Sequence, residues 1–184
     1  MEFAPFVDVF GWARTDFQYD IDVVTCGFTK TVLSTFGIPV MMDQTFDEID
    51  INDYDALAIP GGFEEYGFYE EAFDQRFLDL IIEFEKRGKY IASICVGALP
   101  IGKSGILAGR KATTYHLSNG NRQRQLAAMG VDVIPDQRIV VDGNIITSFC
   151  PETAADVAFR LLEFLVGKEN AKKVAGNMGY GLWN

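Results

Sequence analysis

Lys89-Tyr-Ile-Ala-Ser-Ile-Cys95-Val-Gly-Ala-Leu-Pro-Ile-Gly102 is the stretch around which the rest of the chain is organised. Tyr90 to Ile94 is a short apolar run with β-branched residues, the pattern of a strand buried in a parallel sheet. It stops at Cys95, and a small-residue turn leads at once into a helix. A side chain at such an elbow projects into the crevice beyond the carboxyl end of the sheet, where open α/β folds bind ligands. The free N–H groups of the following helix favour a thiolate there. Two readings of Cys95 remain open on this segment alone: a nucleophile, or a small buried apolar residue.

Working outward, alternating strand and helix patterns predict an α/β domain with three layers and a largely parallel sheet, spanning residues 1–184 as one unit. Phe3, Phe6, Val7 and Phe10 recur at helical spacing and predict a first helix ending near Gly11. Tyr19 to Cys26 reads as a strand. Thr31–Ser34 and Ile38–Met42 read as a hairpin arm turning at Phe36-Gly37, and Asp47–Ile51 as a helical turn. Ala56 to Ile59 reads as a second buried strand running into Pro60-Gly61-Gly62. A helix over Asp74–Arg87 has Asp74 as N-cap, Phe77, Leu80, Ile81 and Phe84 as its buried stripe, and Gly88 as its stop. Further along come a short strand at Lys111–Thr114 and a helix at Asn119–Met129. Ile139–Val141 and Asn144–Thr147 form a hairpin about Asp142-Gly143. A long helix starts at Pro151 and stops at Gly167, and a last helix begins near Lys168 before the Gly-rich tail from Gly176 to Asn184.

Composition narrows the function. The chain has 184 residues and a formal charge of −10, which argues against nucleic acid or an anionic membrane as partner. Three cysteines without regular spacing and a single histidine give neither a disulfide framework nor a zinc-ligand set, so no metal is expected. No apolar run reaches the ~20 residues of a membrane span and no signal peptide is visible, so a cytoplasmic protein is expected.

Four other positions could carry chemistry. Gly61 and Gly62 sit where a strand ends, so their N–H groups, with that of Val96, could form an oxyanion hole or simply make a tight turn. His116, the sole histidine, follows a short strand and could face the same crevice as Cys95, or be an ordinary surface or core residue. Glu2 could share a proton with a thiol, or be a solvated residue on a frayed end. Cys150, just before Pro151 at a helix start, could be a resolving thiol. Cys26 reads as buried filler, and the aromatic and Glu-rich segment Tyr66–Phe73 as either a pocket wall or a dimer contact.

The set Ala56-Leu-Ala-Ile-Pro-Gly-Gly62, Ala92-Ser-Ile-Cys-Val-Gly97, Gly105-Ile-Leu-Ala-Gly-Arg-Lys-Ala-Thr-Thr114 and Asp142-Gly-Asn-Ile-Ile-Thr147 resembles the ThiJ/PfpI superfamily, from Glu2 to about Val174. The resemblance implies a flavodoxin-like sheet of the class I glutamine amidotransferase type and a homodimer. It makes Cys95 the reactive thiol and puts Glu2 on the carboxyl group that contacts it. It also implies cofactor-independent chemistry on small reactive aldehydes, of glyoxalase or deglycase type. Other members of the superfamily are proteases, chaperones, isonitrile hydratases or oxidation sensors. Val96 stands where the protease-type members carry a histidine, which argues against peptidase activity. His116 lies one place later than the family histidine. The chain also lacks the family's first strand and the loop leading to Glu2. That absence predicts a gap of about 9–10 Å in the sheet, two strand spacings wide, with unpaired backbone on both sides. The corresponding expectation is that Met1 is an internal methionine of a longer natural protein, or that a segment from elsewhere fills the slot.

Overall fold

A computed structural model describes residues 1–181, and in it the sheet is built on the buried apolar runs. Ala56–Ile59 (β5), Tyr90–Ser93 (β6), Ile139–Asp142 (β9) and Ile145–Ser148 (β10) form a four-stranded sheet in the order β5–β6–β10–β9. The first three of these positions are parallel, with Ala58 opposite Ala92 and Ile146 opposite Ala92 on the other side. β9 closes the far edge antiparallel to β10 through the Asp142-Gly143 turn, where Gly143 takes φ +60°. Three two-stranded pieces accompany it: Cys26–Gly27 (β1) with Gln44–Thr45 (β4), Thr31–Leu33 (β2) with Pro39–Met41 (β3), and Lys111–Ala112 (β7) with Asp132–Val133 (β8).

The helices complete a three-layer α/β/α sandwich. Ala4–Phe17 (α1), Ala154–Val166 (α6) and Lys168–Asn177 (α7) pack on one another, with α6 against β6 and β10. Gln75–Lys86 (α3) covers β5 and β6 and meets Ala98–Lys103 (α4), which packs on Asn121–Ala127 (α5). A short helix, Phe68–Ala72 (α2), precedes α3. One continuous core runs from Phe6, Val9 and Phe10 of α1 through Ile91, Ile94 and Ile146 to Phe159 and Leu162 of α6. Asp74 caps α3 by accepting the Arg76 N–H, and Gly88 ends the segment at φ +65°. The two motifs Gly109-Arg-Lys and Asp142-Gly-Asn meet in one polar clamp. Arg110 pairs with Glu85 at 2.6 Å, reaches the Asp142 carbonyl, and donates to Asn144 Oδ1 at 3.2 Å.

Several expectations need correction. The first helix continues past Gly11 to Phe17, because Ala13 is buried in the core and Gln18, in left-handed geometry, returns its N–H to the helix end. A glycine costs an exposed helix position only about 1 kcal/mol, less than such packing returns. The expected helix at Asn119 starts only at Asn121, because Asn119 and Gly120 both hold positive φ. β7 is confined to Lys111–Ala112, and the expected helical turn near Asp47 is two 3-10 turns, Phe46–Glu48 and Ile51–Asp53. Cys26 is exposed rather than buried filler, since it falls on the outward phase of its segment. Of the Gly-rich tail, Leu182–Asn184 lie outside the described residues.

The largest difference is at Tyr19–Cys26. The segment keeps a strand's alternation, with Tyr19, Ile21, Val23 and Thr25 half-buried and Asp20, Asp22, Val24 and Cys26 exposed. Yet only Cys26–Gly27 pairs with another strand. Among the described residues no strand pairs with the outer edge of β5 either, and Ala58, in a run expected to be buried, is exposed. Among the described residues, Tyr19–Thr25 and the outer edge of β5 thus both lack a ladder partner. Alternating burial alone does not make a strand, because the ladder needs a neighbour to supply its hydrogen bonds.

The Arg110 clamp makes a stability prediction. Arg110→Ala leaves the Glu85 carboxylate and the Asp142 carbonyl half-buried without their partner, and should cost about 2–3 kcal/mol. Chemical denaturation monitored by circular dichroism reads this directly; a loss within error of zero would show the clamp to be solvent-compensated.

Candidate active site

The site is built on a strained backbone position. Cys95 adopts φ +57°, in the left-handed region that non-glycine residues occupy at a cost of about 1 kcal/mol. The strand before it continues β5–β6 pairing to its end, with the Ile94 N–H donating to the Ile59 carbonyl at 3.2 Å. The chain then turns through the 3-10 segment Cys95–Gly97 into α4. Gly97 is required by close approach: a Cβ there would lie 2.5 Å from the Ile59 carbonyl oxygen. Thr114 Oγ1 donates to the Cys95 carbonyl at 2.8 Å and ties the elbow to the chain after β7.

Glu2 is brought to the same place, from the residues just before α1. The Gly61 N–H donates to Glu2 Oε2 at 2.5 Å, joining the start of the chain to the Pro-Gly-Gly turn. A Cβ on Gly61 would meet that oxygen at 2.8 Å, so glycine leaves room for the carboxyl group. Burial pushes the Glu2 carboxyl above its ordinary pKa, against the Gly61 N–H, the N-terminal ammonium and a hydrogen bond with Cys95. Burial, and then the negative charge of Glu2, push the Cys95 thiol up; the Val96 N–H pulls it back. The expected helix-dipole assistance to the thiolate is thus outweighed by desolvation. Thiol and carboxyl are hydrogen-bonded to each other, so a proton can pass between them.

The other expected residues take distinct places. The Val96 N–H is aimed at the Cys95 sulfur, the Gly61 N–H is engaged by Glu2, and Gly62 lies under the Phe68 ring. His116 is not paired with Cys95: its Nδ1 lies 3.3 Å from Cys150 Sγ, and its ring stacks on Phe149 with centroids 4.1 Å apart. Cys150 is buried and its thiol is pushed up by that burial and by Glu152, so the helix start does not lower it as expected. The Tyr66–Phe73 segment lies beside the Pro-Gly-Gly turn, where Phe68 covers Gly62. Tyr69 stacks on Phe73, lies under the Arg122 guanidinium, and has a hydroxyl pushed up to about 12 by burial and by neighbours that include Glu64 and Cys95. Arg122, which sequence reasoning did not single out, is held there by Glu64 at 2.6 Å. Only its place in an otherwise polar helix face could have hinted at this. Among the described residues no group of three or more His, Cys, Asp or Glu side chains is placed to hold a metal ion.

The Glu2–Cys95 pair predicts a sign. Glu2→Gln removes the negative charge that raises the Cys95 pKa, so the thiolate should form at lower pH. Alkylation by iodoacetamide as a function of pH measures it; an unchanged profile would show that the carboxyl does not reach the sulfur.

The model of the DJ-1/PfpI family matches residues 1–164. Protein DJ-1 homolog D of Arabidopsis thaliana is 35% identical over 78% of this chain and 36% of its own length. Isonitrile hydratase of Pseudomonas putida is 30% identical over 81% of this chain and 61% of its own. Deglycase PfpI of Pyrococcus furiosus is 35% identical over 71% of this chain and 74% of its own. The chain therefore spans less than two thirds of the length of the first two. Among solved structures, Drosophila melanogaster DJ-1beta superposes with a TM-score of 0.83 at 27% identity, covering 96% of this chain and 89% of the other. Oxidized Toxoplasma gondii DJ-1 superposes with a TM-score of 0.81. With its cysteine elbow, Pro-Gly-Gly turn and paired carboxyl group in place, the chain belongs to the DJ-1/PfpI family.

Proposed function

We propose that the protein is a cofactor-independent, cysteine-dependent enzyme that converts small 2-oxoaldehydes such as methylglyoxal or glyoxal to hydroxy acids. The observation that carries this reading is the carboxyl group of Glu2, fixed by the Gly61 N–H and hydrogen-bonded to the sulfur of a strained elbow cysteine. The similarity to proteins named deglycases, from Pyrococcus furiosus and Pyrococcus horikoshii, supports it.

In this reading the Cys95 thiolate adds to the aldehyde carbon and gives a hemithioacetal. The Gly62 N–H, joined by the Val96 N–H once the sulfur has given up its charge to the oxygen, holds the developing oxyanion, and each such donor is worth about 2.7–4 kcal/mol in related chemistry. Glu2, hydrogen-bonded to the sulfur, takes the Cys95 thiol proton as the sulfur adds and passes it to that oxygen. As carboxylate it then takes the proton from the former aldehyde carbon and delivers it to the neighbouring carbonyl carbon, while the hemithioacetal hydroxyl proton passes to the oxygen of that neighbouring carbon. This leaves a thioester to Cys95, which water hydrolyses to the hydroxy acid and the free thiol. His116 has no part in this scheme, since its ring nitrogen is directed at Cys150.

A second copy of the chain is the proposed partner. Leu33, Phe36, Ile38 and Met41 of the β2–β3 arm are all exposed, more apolar surface at one place than a solvated hairpin needs. Sedimentation velocity should give twice the 20.5 kDa chain mass; a monomer at micromolar concentration would remove this part of the reading.

A second reading, oxidation sensing without turnover, is favoured by the burial of Cys95 beside a carboxyl group and a backbone N–H that would hold an oxidised sulfur. Lactate production from methylglyoxal under reducing conditions separates the two. Turnover in the wild type, with at least a thousandfold loss in Cys95→Ala, is expected from removal of a nucleophile. No turnover from a folded protein would sink the aldehyde reading and leave sensing.

A further inference from the structure

Cys150 and His116 form a thiol–imidazole pair that the aldehyde scheme does not use. Cys95 and Cys150 end two neighbouring parallel strands. In the β6–β10 register Ile146 lies opposite Ala92, with Ser148 Oγ donating to the Ser93 carbonyl at 3.4 Å and Ser93 Oγ to the Ile146 carbonyl at 3.5 Å. Continued past the strand ends, that register sets Phe149 opposite Cys95, and Cys150 is the next residue along, diagonal to Cys95. With strands about 4.8 Å apart and about 3.3 Å per residue along each, such a diagonal is about 6 Å, within the Cα separation of about 4.4–6.8 Å that a disulfide spans. The rim is tied together beyond the strands as well, since Thr114, two residues before His116, holds the Cys95 carbonyl. A charge on Cys150 is felt at Cys95 and a charge on Glu2 is felt at Cys150, as expected for three groups around one crevice.

We propose that Cys150 is the resolving thiol of Cys95, so that oxidation by a hydroperoxide ends in an intramolecular Cys95–Cys150 disulfide with His116 as the base. In the first step the Cys95 sulfur attacks one peroxide oxygen, the O–O bond breaks, and Cys95 becomes a sulfenic acid while the peroxide is reduced to water or an alcohol. In the second, His116 Nδ1 takes the Cys150 thiol proton and the Cys150 sulfur attacks the Cys95 sulfur. The S–O bond breaks, and hydroxide leaves as water with the proton that His116 took up. The position of Nδ1, 3.3 Å from the Cys150 sulfur, suits this transfer, and stacking on Phe149 fixes the imidazole plane. Both cysteines are 7% exposed. That burial admits a small peroxide more readily than a bulky external thiol and leaves the internal thiol as the nearest reductant. Cys26, exposed at β1, has no part in this.

The test is digestion of the full chain with trypsin, without reductant, after a several-fold molar excess of hydrogen peroxide. Cys95 falls in the peptide Tyr90–Lys103 and Cys150 in Ile139–Arg160, so the bridge joins two defined fragments. The expected result is this cross-link within one chain, two hydrogens lighter and reversed by dithiothreitol. Cys150→Ser should instead accumulate Cys95 with two added oxygens that dithiothreitol does not reverse, while keeping aldehyde turnover in reducing buffer. His116→Ala should slow the cross-link on the order of a hundredfold. Selective gain of two oxygens on Cys95 in the wild type, with Cys150 still reduced, would overturn the proposal. A bridge formed only between two chains would overturn it too. Neither result depends on aldehyde turnover, so the two readings fail separately.

Discussion

A cysteine held at φ +57° between a buried strand and a helix is the constraint on which the rest of this structure depends. Left-handed geometry is unfavourable for any residue with a Cβ, so the conformation survives only where neighbours on several sides fix it. Here the Ile94 N–H is locked on Ile59, Gly97 passes against the Ile59 carbonyl, and Thr114 holds the Cys95 carbonyl. Three segments far apart in sequence therefore converge on one backbone turn. The glycines at positions 61 and 97 follow from the same convergence, since each would place a Cβ into an atom the elbow needs.

The second constraint is electrostatic. Two ionisable groups, Glu2 and Cys95, are taken out of water together, and burial raises both. Two negative charges so close are disfavoured, and a single proton shared between carboxyl and sulfur relieves both groups. The Gly61 N–H makes the arrangement directional by fixing the carboxyl group, and the Val96 N–H does the same for the sulfur. A proton that can move between a nucleophile and a carboxyl group serves addition to a carbonyl. It also serves the stabilisation of an oxidised sulfur, which is why one geometry supports two readings.

Around this centre the sheet is uneven. β6 and β10 are paired on both sides, whereas β5 is paired on one side only, and the alternating segment Tyr19–Thr25 has no ladder. The core survives because α1, α6 and α7 pack on one another, and α6 on β6 and β10, independently of that edge. The Arg110 clamp on the Asp142-Gly143 turn secures the opposite side, through contacts with Glu85 and Asn144.

The strand-to-elbow stretch at Tyr90–Gly97, the Asp74 cap of α3, the Asp142-Gly143 hairpin and the helix from Pro151 were legible in the sequence, because each is set by local pattern, capping or turn chemistry. Tyr19–Cys26 was not, because a strand is defined by its neighbour as well as by its own alternation. Cys95 and Glu2 were named together only through family resemblance; their proximity depends on the fold bringing residue 2 to residue 61. His116 was placed on the right rim, but its partner was not foreseen, since nothing along the chain tells which of two thiols an imidazole will face. By itself the sequence determined the α/β architecture and the identity of the elbow cysteine, both encoded within short stretches. Only the tertiary structure decided the pKa directions, the Cys150–His116 pair and the open edge of β5. Desolvation, sulfur–nitrogen distance and strand pairing are properties of what is packed alongside, and no local stretch contains them.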